Sequence, residues 1–278
     1  MNLKHHIWYC LCISFTIMTM SVSSWADIAQ RIISLSPSAT EILFAIGAGK
    51  QVVAVDNRSN YPPQAPVMKL SAYQPSLEAI VSYKPDTVVI TFDVIGIKAG
   101  LQTMGVNVVH HTAATSLDDM YRQIAELGAV SGHQAEAAQL SEQIRTDLAQ
   151  AMEQIPILDD PLRIYHELDA AYYSVSSASF LGQIYQQMGL INIADAADRH
   201  NSGYPQLSVE YILQINPQLI VITDQSGYNR ADVLRRPGWQ FLDASRQGRI
   251  IQVNADIASR WGPRIVEFVR LIVANIQP

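Results

Sequence analysis

Histidine is the first side chain to test for chemistry here, because it titrates near neutral pH and ligates metals. His110 and His111 are adjacent, while His133, His166 and His200 stand apart. None has the i, i+4 spacing that sets two imidazoles on one helix face for zinc, so no metal site is expected. A single imidazole or tyrosinate could still ligate the iron of a haem or ferric chelate. Cys10 and Cys12 are the two cysteines of the chain and both lie near its N-terminus. Nucleophile and nucleotide motifs are missing as well: there is no G-x-S-x-G elbow, P-loop or complete G-x-G-x-x-G. Gly47-Ala48-Gly49 follows a helical stretch instead of opening one. The residues point to a non-enzyme, with a secreted α/β hydrolase or sensor domain as the remote alternative.

Two glutamates stand out by their setting. Ser76–Thr91 (SLEAIVSYKPDTVVIT) returns as Ser208–Thr223 (SVEYILQINPQLIVIT), which places Glu78 and Glu210 at matched positions 132 residues apart. Ser76, Ile80, Pro85, Val89, Ile90 and Thr91 recur at the same offset, and Arg31-Ile32 recurs as Arg163-Ile164. One matched pair is too few for a solenoid and fits two homologous lobes. Each copy reads as one unit. A serine N-caps a short helix, a proline stops it, and a β-branched run forms a strand buried on both faces of a parallel sheet. A carboxylate in the first turn is accounted for by the helix dipole. The matched pair equally suits an acidic surface meeting two cationic sites on a partner.

In parallel α/β sheets ligands sit beyond the carboxyl ends of the strands. That rule selects Ser36-Pro37, Asp56–Tyr61, Phe92-Asp93 and His110-His111 in the first half. In the second it selects Glu167–Tyr173, Asp224–Tyr228 and Asp256–Trp261. With Tyr73 and Tyr204 just upstream of the repeat helices, these segments combine aromatic and polar side chains. The mixture suits a large ringed ligand held between two lobes. Any one tyrosine is equally explained as half-buried packing.

The remaining chain must position those segments. Residues 1–26 read as a signal peptide, with Lys4, the apolar run Ile7–Met20 and the small-x-small site Ser24-Trp25-Ala26. That run is 14 residues, short of the ~20 that span a bilayer. Neither cysteine has the small residues of a lipoprotein signal before it, so cleavage without a lipid anchor is expected. The mature chain then has no cysteine, and its stability must come from packing. Hydrophobic residues make up 49% and charged residues 16%, a composition with enough apolar surface for well-buried cores. A net charge of −6 without a basic cluster excludes nucleic acid as a partner.

Residues 27–132 alternate strand and helix: strand Arg31–Ser36, helix Ala39–Ile46, strand Val52–Val55, the loop Asp56–Pro66, the first repeat copy, helix Ile97–Met104 and strand Val106–Val109. Asp118–Gly128 reads as a helix ended by its glycine. Gln134–Ile155 lacks Gly and Pro and reads as one long helix within residues 133–155, a stiff spacer that permits only a small hinge motion. Residues 156–278 rebuild the alternation from strand Arg163–Glu167 and helix Ser179–Met188. After the second copy come the loop Gln225–Pro237, strand Arg249–Val253, the loop Asp256–Pro263 and helix Arg264–Ile276. The fold class is α/β, two Rossmann-like lobes with parallel sheets and a cleft between them.

RIISLSPSATEILFAIGAG, NYPPQA (Asn60–Ala65), the two Ser-x-Glu copies and ASRWGPRI (Ala258–Ile265) together resemble the helical-backbone substrate-binding proteins of ABC importers. These are the receptors for vitamin B12, ferric siderophores and haem. The resemblance spans the mature chain in order. Tyr61-Pro62-Pro63-Gln64-Ala65, Tyr204-Pro205-Gln206 and Asp256–Arg260 are most similar to the vitamin B12-binding members. It implies a periplasmic monomer that carries cobalamin, or alternatively a ferric siderophore, haem or metal ion, to a permease dimer in the inner membrane. It puts Arg58, Tyr61, Tyr73, Phe92, Tyr172, Tyr204, Asp256, Ile257, Ala258, Ser259, Arg260 and Trp261 at the ligand and Glu78 and Glu210 at the transporter. Arg58 and Ala72 depart from aromatic positions of that pocket. Tyr73, Phe92 and Trp261 are the available substitutes, and Arg58 would suit a carboxylate-bearing ligand.

Overall fold

The computed structural model describes residues 28–157, 160–224 and 227–276; the signal-peptide reading lies outside them. The first lobe is a five-stranded sheet of β1 (Ile32–Leu35), β2 (Val52–Asp56), β3 (Val67–Leu70), β4 (Thr87–Ile90) and β5 (Asn107–His110), in the order β3-β2-β1-β4-β5. Around it lie α1 (Pro37–Ala45), α2 (Leu77–Val81), α3 (Ile97–Thr103) and α4 (Leu117–Ser131), and then α5 (Gln134–Met152) leads to the second lobe. That lobe is a four-stranded sheet of β6 (Arg163–Glu167), β7 (Ile191–Asn192), β8 (Leu219–Thr223) and β9 (Ile250–Val253), in the order β7-β6-β8-β9. Its helices are α6 (Phe180–Gln187), α7 (Val209–Ile215), α8 (Arg230–Leu234), α9 (Asp243–Arg246), α10 (Ala255–Ser259) and α11 (Ile265–Asn275). All strand pairs in both sheets are parallel.

The repeat is the framework common to both lobes. Ser76 Oγ accepts from the Ala79 amide at 3.2 Å and Ser208 Oγ from the Tyr211 amide at 3.1 Å, capping α2 and α7. The residues before the two prolines, Lys84 and Asn216, are both left-handed, with φ 51° and 54°. The recurring arginines close the same ends. Arg31 donates to the carbonyls of Lys84 (2.9 Å) and Tyr83 (2.6 Å), and Arg163 to those of Ile215 (3.0 Å) and Asn216 (3.1 Å). Each guanidinium thus satisfies carbonyls orphaned by the end of a helix. β4 and β8 then run fully buried beside β1 and β6.

Several boundaries differ from the sequence reading. The stretch before Ser76 contains a strand, β3, whose largely exposed face gives little apolar signal. Asp256–Pro263 is not wholly a loop, because Asn254 accepts from the Ile257 amide and starts α10. Gln225–Pro237 contains α8, begun by a capping box of Asn229 and Asp232. The long helix ends at Met152 instead of Ile155, about 28 Å at 1.5 Å per residue. Gly128 does not end its helix. The chain runs on to a left-handed cap at Gly132, φ 76°.

Gly128 instead lets two helices touch. A Cβ there would lie 2.5 Å from the Ala137 Cβ on α5 and 3.1 Å from the His133 carbonyl oxygen. α5 turns Ala137, Ile144, Leu148 and Ala151 inward, into a hydrophobic cluster that joins α1 and α4 of the first lobe to β6, α6, β8 and α11 of the second. Gly128→Ala should therefore destabilise the protein by about 1–3 kcal/mol through overpacking, although alanine is the better helix former. Urea denaturation checks the sign, and a stabilised variant would show that the contact has slack.

Candidate functional site

The carboxyl ends of the first sheet open onto a cavity of about 260 Å³. Leu35, Ser36 and Ser38 from β1 and the start of α1 line it, with Asp56, Arg58, Ala72 and Thr91 from the ends of neighbouring strands and loops. Tyr73 and Phe92 form one wall, their rings stacked with centroids 5.0 Å apart and planes at 29°. The second lobe contributes Asp256, Ser259, Arg260 and Trp261. Ser259 also lines a neighbouring chamber of about 300 Å³, bounded by His166, Leu168, Thr223, Ala255 and Ala258. The cleft is therefore floored by the ends of both sheets and divided by α10.

One ionic cluster holds the two sides together. Glu41 of α1 accepts from Arg260 Nη1 (2.8 Å) and from Arg264 Nε (2.9 Å) and Nη2 (2.5 Å). Their side chains are 2%, 6% and 14% exposed. Arg260 also donates to the Arg58 carbonyl (2.9 Å) and Asn60 Oδ1 (2.8 Å), and pairs with Asp256 Oδ1 (2.8 Å). Asn60 Nδ2 in turn donates to Asp256 Oδ2 at 2.8 Å. Beside this cluster, Trp261 Nε1 donates to Gln123 Oε1 of α4 at 2.8 Å, and the Arg264 guanidinium lies 4.2 Å over the Tyr61 ring.

The residues selected from sequence thus divide. Arg58, Tyr73, Phe92, Asp256, Ser259, Arg260 and Trp261 meet at one cavity, Arg260 and Asp256 with their polar atoms engaged across the lobes. Ala258 is buried beside His166, and Ile257 packs against the interlobe core. Tyr61 is occupied by Arg264, and Tyr204 is exposed and lines neither chamber. Tyr172 packs into the second lobe, its ring 6.2 Å from Trp239 and 5.5 Å beneath Arg236. Glu78 and Glu210 are exposed in the first turns of α2 and α7.

Several groups have partners or environments that the sequence does not reveal. Glu41 reads as one more helical glutamate, and its arginines lie more than 200 positions away. Asp56 is fully buried, with Oδ1 accepting from Ser59 Oγ at 2.6 Å and Oδ2 without a partner. Burial pushes its carboxyl above the usual carboxylate range against the opposing bond from Ser59. Thr91, at the end of β4, has an equally unpartnered Oγ1. In the second lobe Arg236 donates twice to buried Glu167, at 2.7 and 2.8 Å, amid the rings of Tyr172, Tyr228 and Trp239. His166 is buried against the Tyr185 hydroxyl at 2.8 Å, and burial pulls its imidazole down to about 4. Among the described residues no cluster of His, Cys, Asp and Glu is arranged to hold a metal ion.

Comparison with known proteins places this geometry. Residues 32–257 match the sequence family described as periplasmic binding protein. The chain belongs to that family. Among curated relatives of this family member, the vitamin B12-binding protein of Pectobacterium atrosepticum is 30% identical over 268 residues, covering 90% of this chain and 89% of the other. An ABC transporter substrate-binding lipoprotein of Bacillus subtilis is 29% identical over 258 residues, 90% and 80% of the two chains. Among solved structures, the periplasmic vitamin B12 binding protein of Vibrio cholerae is 27% identical, with a TM-score of 0.74 over 89% of this chain and 96% of that one. The periplasmic haem-binding protein of the same organism superposes with a TM-score of 0.78 over 90% and 99%, at 17% identity. The shared fold thus accommodates more than one cargo.

The ionic cluster supplies a direct test. Glu41→Ala leaves two arginines buried without their carboxylate and should cost about 3–5 kcal/mol. Arg122→Ala, which removes an exposed i, i+3 partner of Asp119, should cost less than about 1 kcal/mol. Denaturant midpoints of the two variants give the comparison.

Proposed function

We infer that this chain is the receptor of an ABC importer. In the periplasm, after removal of residues 1–26, it captures a corrinoid, with vitamin B12 the first expectation, and hands it to the permease dimer of the inner membrane. The observation that carries this reading is the aromatic cleft. Tyr73 stacked on Phe92 offers a broad apolar face on one lobe, and Trp261 lines the same cavity from the other. Aromatic faces bind a large ring system at little entropic cost. The names of the relatives support the choice of corrinoid. Capture and release involve no covalent step, and the chain acts as a monomer.

A second reading keeps the scaffold and changes the cargo. Arg58 is exposed and lines the cavity, and a guanidinium there favours a carboxylate-bearing ligand such as haem or a ferric siderophore. Titration of the mature chain with cyanocobalamin, haemin and ferric siderophores, followed by tryptophan fluorescence, separates the two. Corrinoid binding at roughly micromolar or tighter is expected; no corrinoid binding at that concentration overturns the first choice.

Glu78 and Glu210 are the docking residues in this reading. Both are exposed and both are fixed by serine-capped first turns on opposite lobes. Their two carboxylates can meet one cation on each half of a dimeric permease. Glu78→Ala combined with Glu210→Ala should lower uptake by roughly tenfold or more while leaving cargo affinity unchanged. An equal fall in affinity would make them supports of the pocket.

A further inference from the structure

The cleft floor holds an arrangement that the transport reading leaves unexplained. Asp56 ends β2, and Thr91 follows β4, with β1 between the two strands. They therefore stand roughly 10 Å apart, two strand spacings. Both line the same cavity, both are at least nine-tenths buried, and Asp56 Oδ2 and Thr91 Oγ1 lack hydrogen-bond partners. Buried polar groups are ordinarily satisfied, and an unmade bond is a standing cost. Between the two residues lies the N-terminal end of the nine-residue helix α1, where Ser36 and Ser38 line the cavity.

The size and polarity of this floor limit what it can take. At about 260 Å³ the cavity is smaller than the roughly 300–1,000 Å³ of pockets that enclose a whole ligand. It suits one side arm of a larger cargo resting on Tyr73 and Phe92. The surroundings favour an acceptor: the helix N-terminus is the positive end of its dipole, and Arg58 lines the same cavity. Ser59 already engages Asp56 Oδ1, leaving Oδ2 as the oxygen without a hydrogen-bond partner. Burial raises the carboxyl's pKa against hydrogen bonds from Ser59 and the Arg58 backbone.

We propose that Asp56 and Thr91 form an arm-binding subsite that takes the terminal carboxamide or carboxylate group of a side arm of the cargo. Thr91 donates its hydroxyl to one polar atom of that group and Asp56 Oδ2 engages the other, while the ring system stays on the aromatic wall. Specificity is thereby shared between a sequence-tolerant stacking face and a directional floor. This deepens the reading of the cleft as the cargo site and rests on it.

The test measures binding of cyanocobalamin, whose arms are carboxamides, and haemin, whose arms are carboxylates, to the mature wild type, Asp56→Asn, Asp56→Ala, Thr91→Ser and Thr91→Val. Asp56→Asn and Thr91→Ser keep a hydrogen-bonding group and should bind as the wild type does. Asp56→Ala and Thr91→Val should each weaken the bound probe by about tenfold. The probe that shows the loss identifies the arm. Wild-type affinity in both Asp56→Ala and Thr91→Val overturns the subsite while leaving the cargo reading intact. Should Asp56→Ala fail to fold, Thr91→Val decides alone. If neither large probe binds the wild type, the corrinoid and haem readings fail, and propionamide and propionate then serve as arm mimics. Saturable shifts of the Asp56 carboxyl carbon and Thr91 methyl resonances would uphold the subsite, and their absence would overturn it.

Discussion

The buried carboxylate of Glu41 is the constraint on which the two-lobed arrangement depends. Two arginines from the far end of the chain converge on it, and each charge would be costly to bury alone. Arg260 and Arg264 flank the segment that carries Trp261, so satisfying Glu41 also brings that segment to the first lobe. Asp256, Asn60 and the Arg58 carbonyl complete the donor and acceptor set of Arg260. The geometry of the cleft wall follows from electrostatic satisfaction as much as from apolar packing. A corresponding pair, Glu167 with Arg236, stiffens the second lobe, but it lies within that lobe and does not join the two.

Duplication explains the parts of the chain least affected by cargo. In both copies a serine starts the helix, a left-handed residue and a proline end it, and an arginine at the start of the neighbouring strand, β1 or β6, binds the exposed carbonyls. Those contacts are local to each lobe and identical in kind. Divergence is concentrated beyond the strand ends. There the first lobe offers Asp56, Thr91 and a stacked aromatic pair, and the second offers His166 and Thr223 around the neighbouring chamber. The framework is duplicated, while the strand ends that line the cleft have been given different chemistry.

The fold was largely legible because its signals are local. Serine caps, proline stops and fully apolar runs name α2, β4, α7 and β8 directly. β3 was not legible, since an edge strand with an exposed face has no run of apolar residues. Gly128 misled for a related reason: glycine is enriched beyond helix ends, but here its missing side chain serves a contact with Ala137 that only the tertiary structure reveals. The site was legible in part. The strand-end rule found the segments containing Asp56, Arg58, Phe92 and Trp261. It could not separate Arg260, whose donors are engaged across the lobes, from Arg58 beside it. Nor could it single out Glu41, whose role depends on partners at the other end of the sequence.

The hydrophobic cluster running through α5 has a consequence for how the protein resists unfolding. Because helices of the first lobe and strands of the second share one apolar core, neither lobe can open without exposing core surface of the other. Opening is then cooperative across the whole chain, and half-folded forms with one intact lobe are disfavoured. For a chain without cysteines beyond residue 12, this coupling does the work that covalent cross-links perform in disulfide-bonded proteins. Proteases that cut only unfolded segments find few partly open molecules to attack.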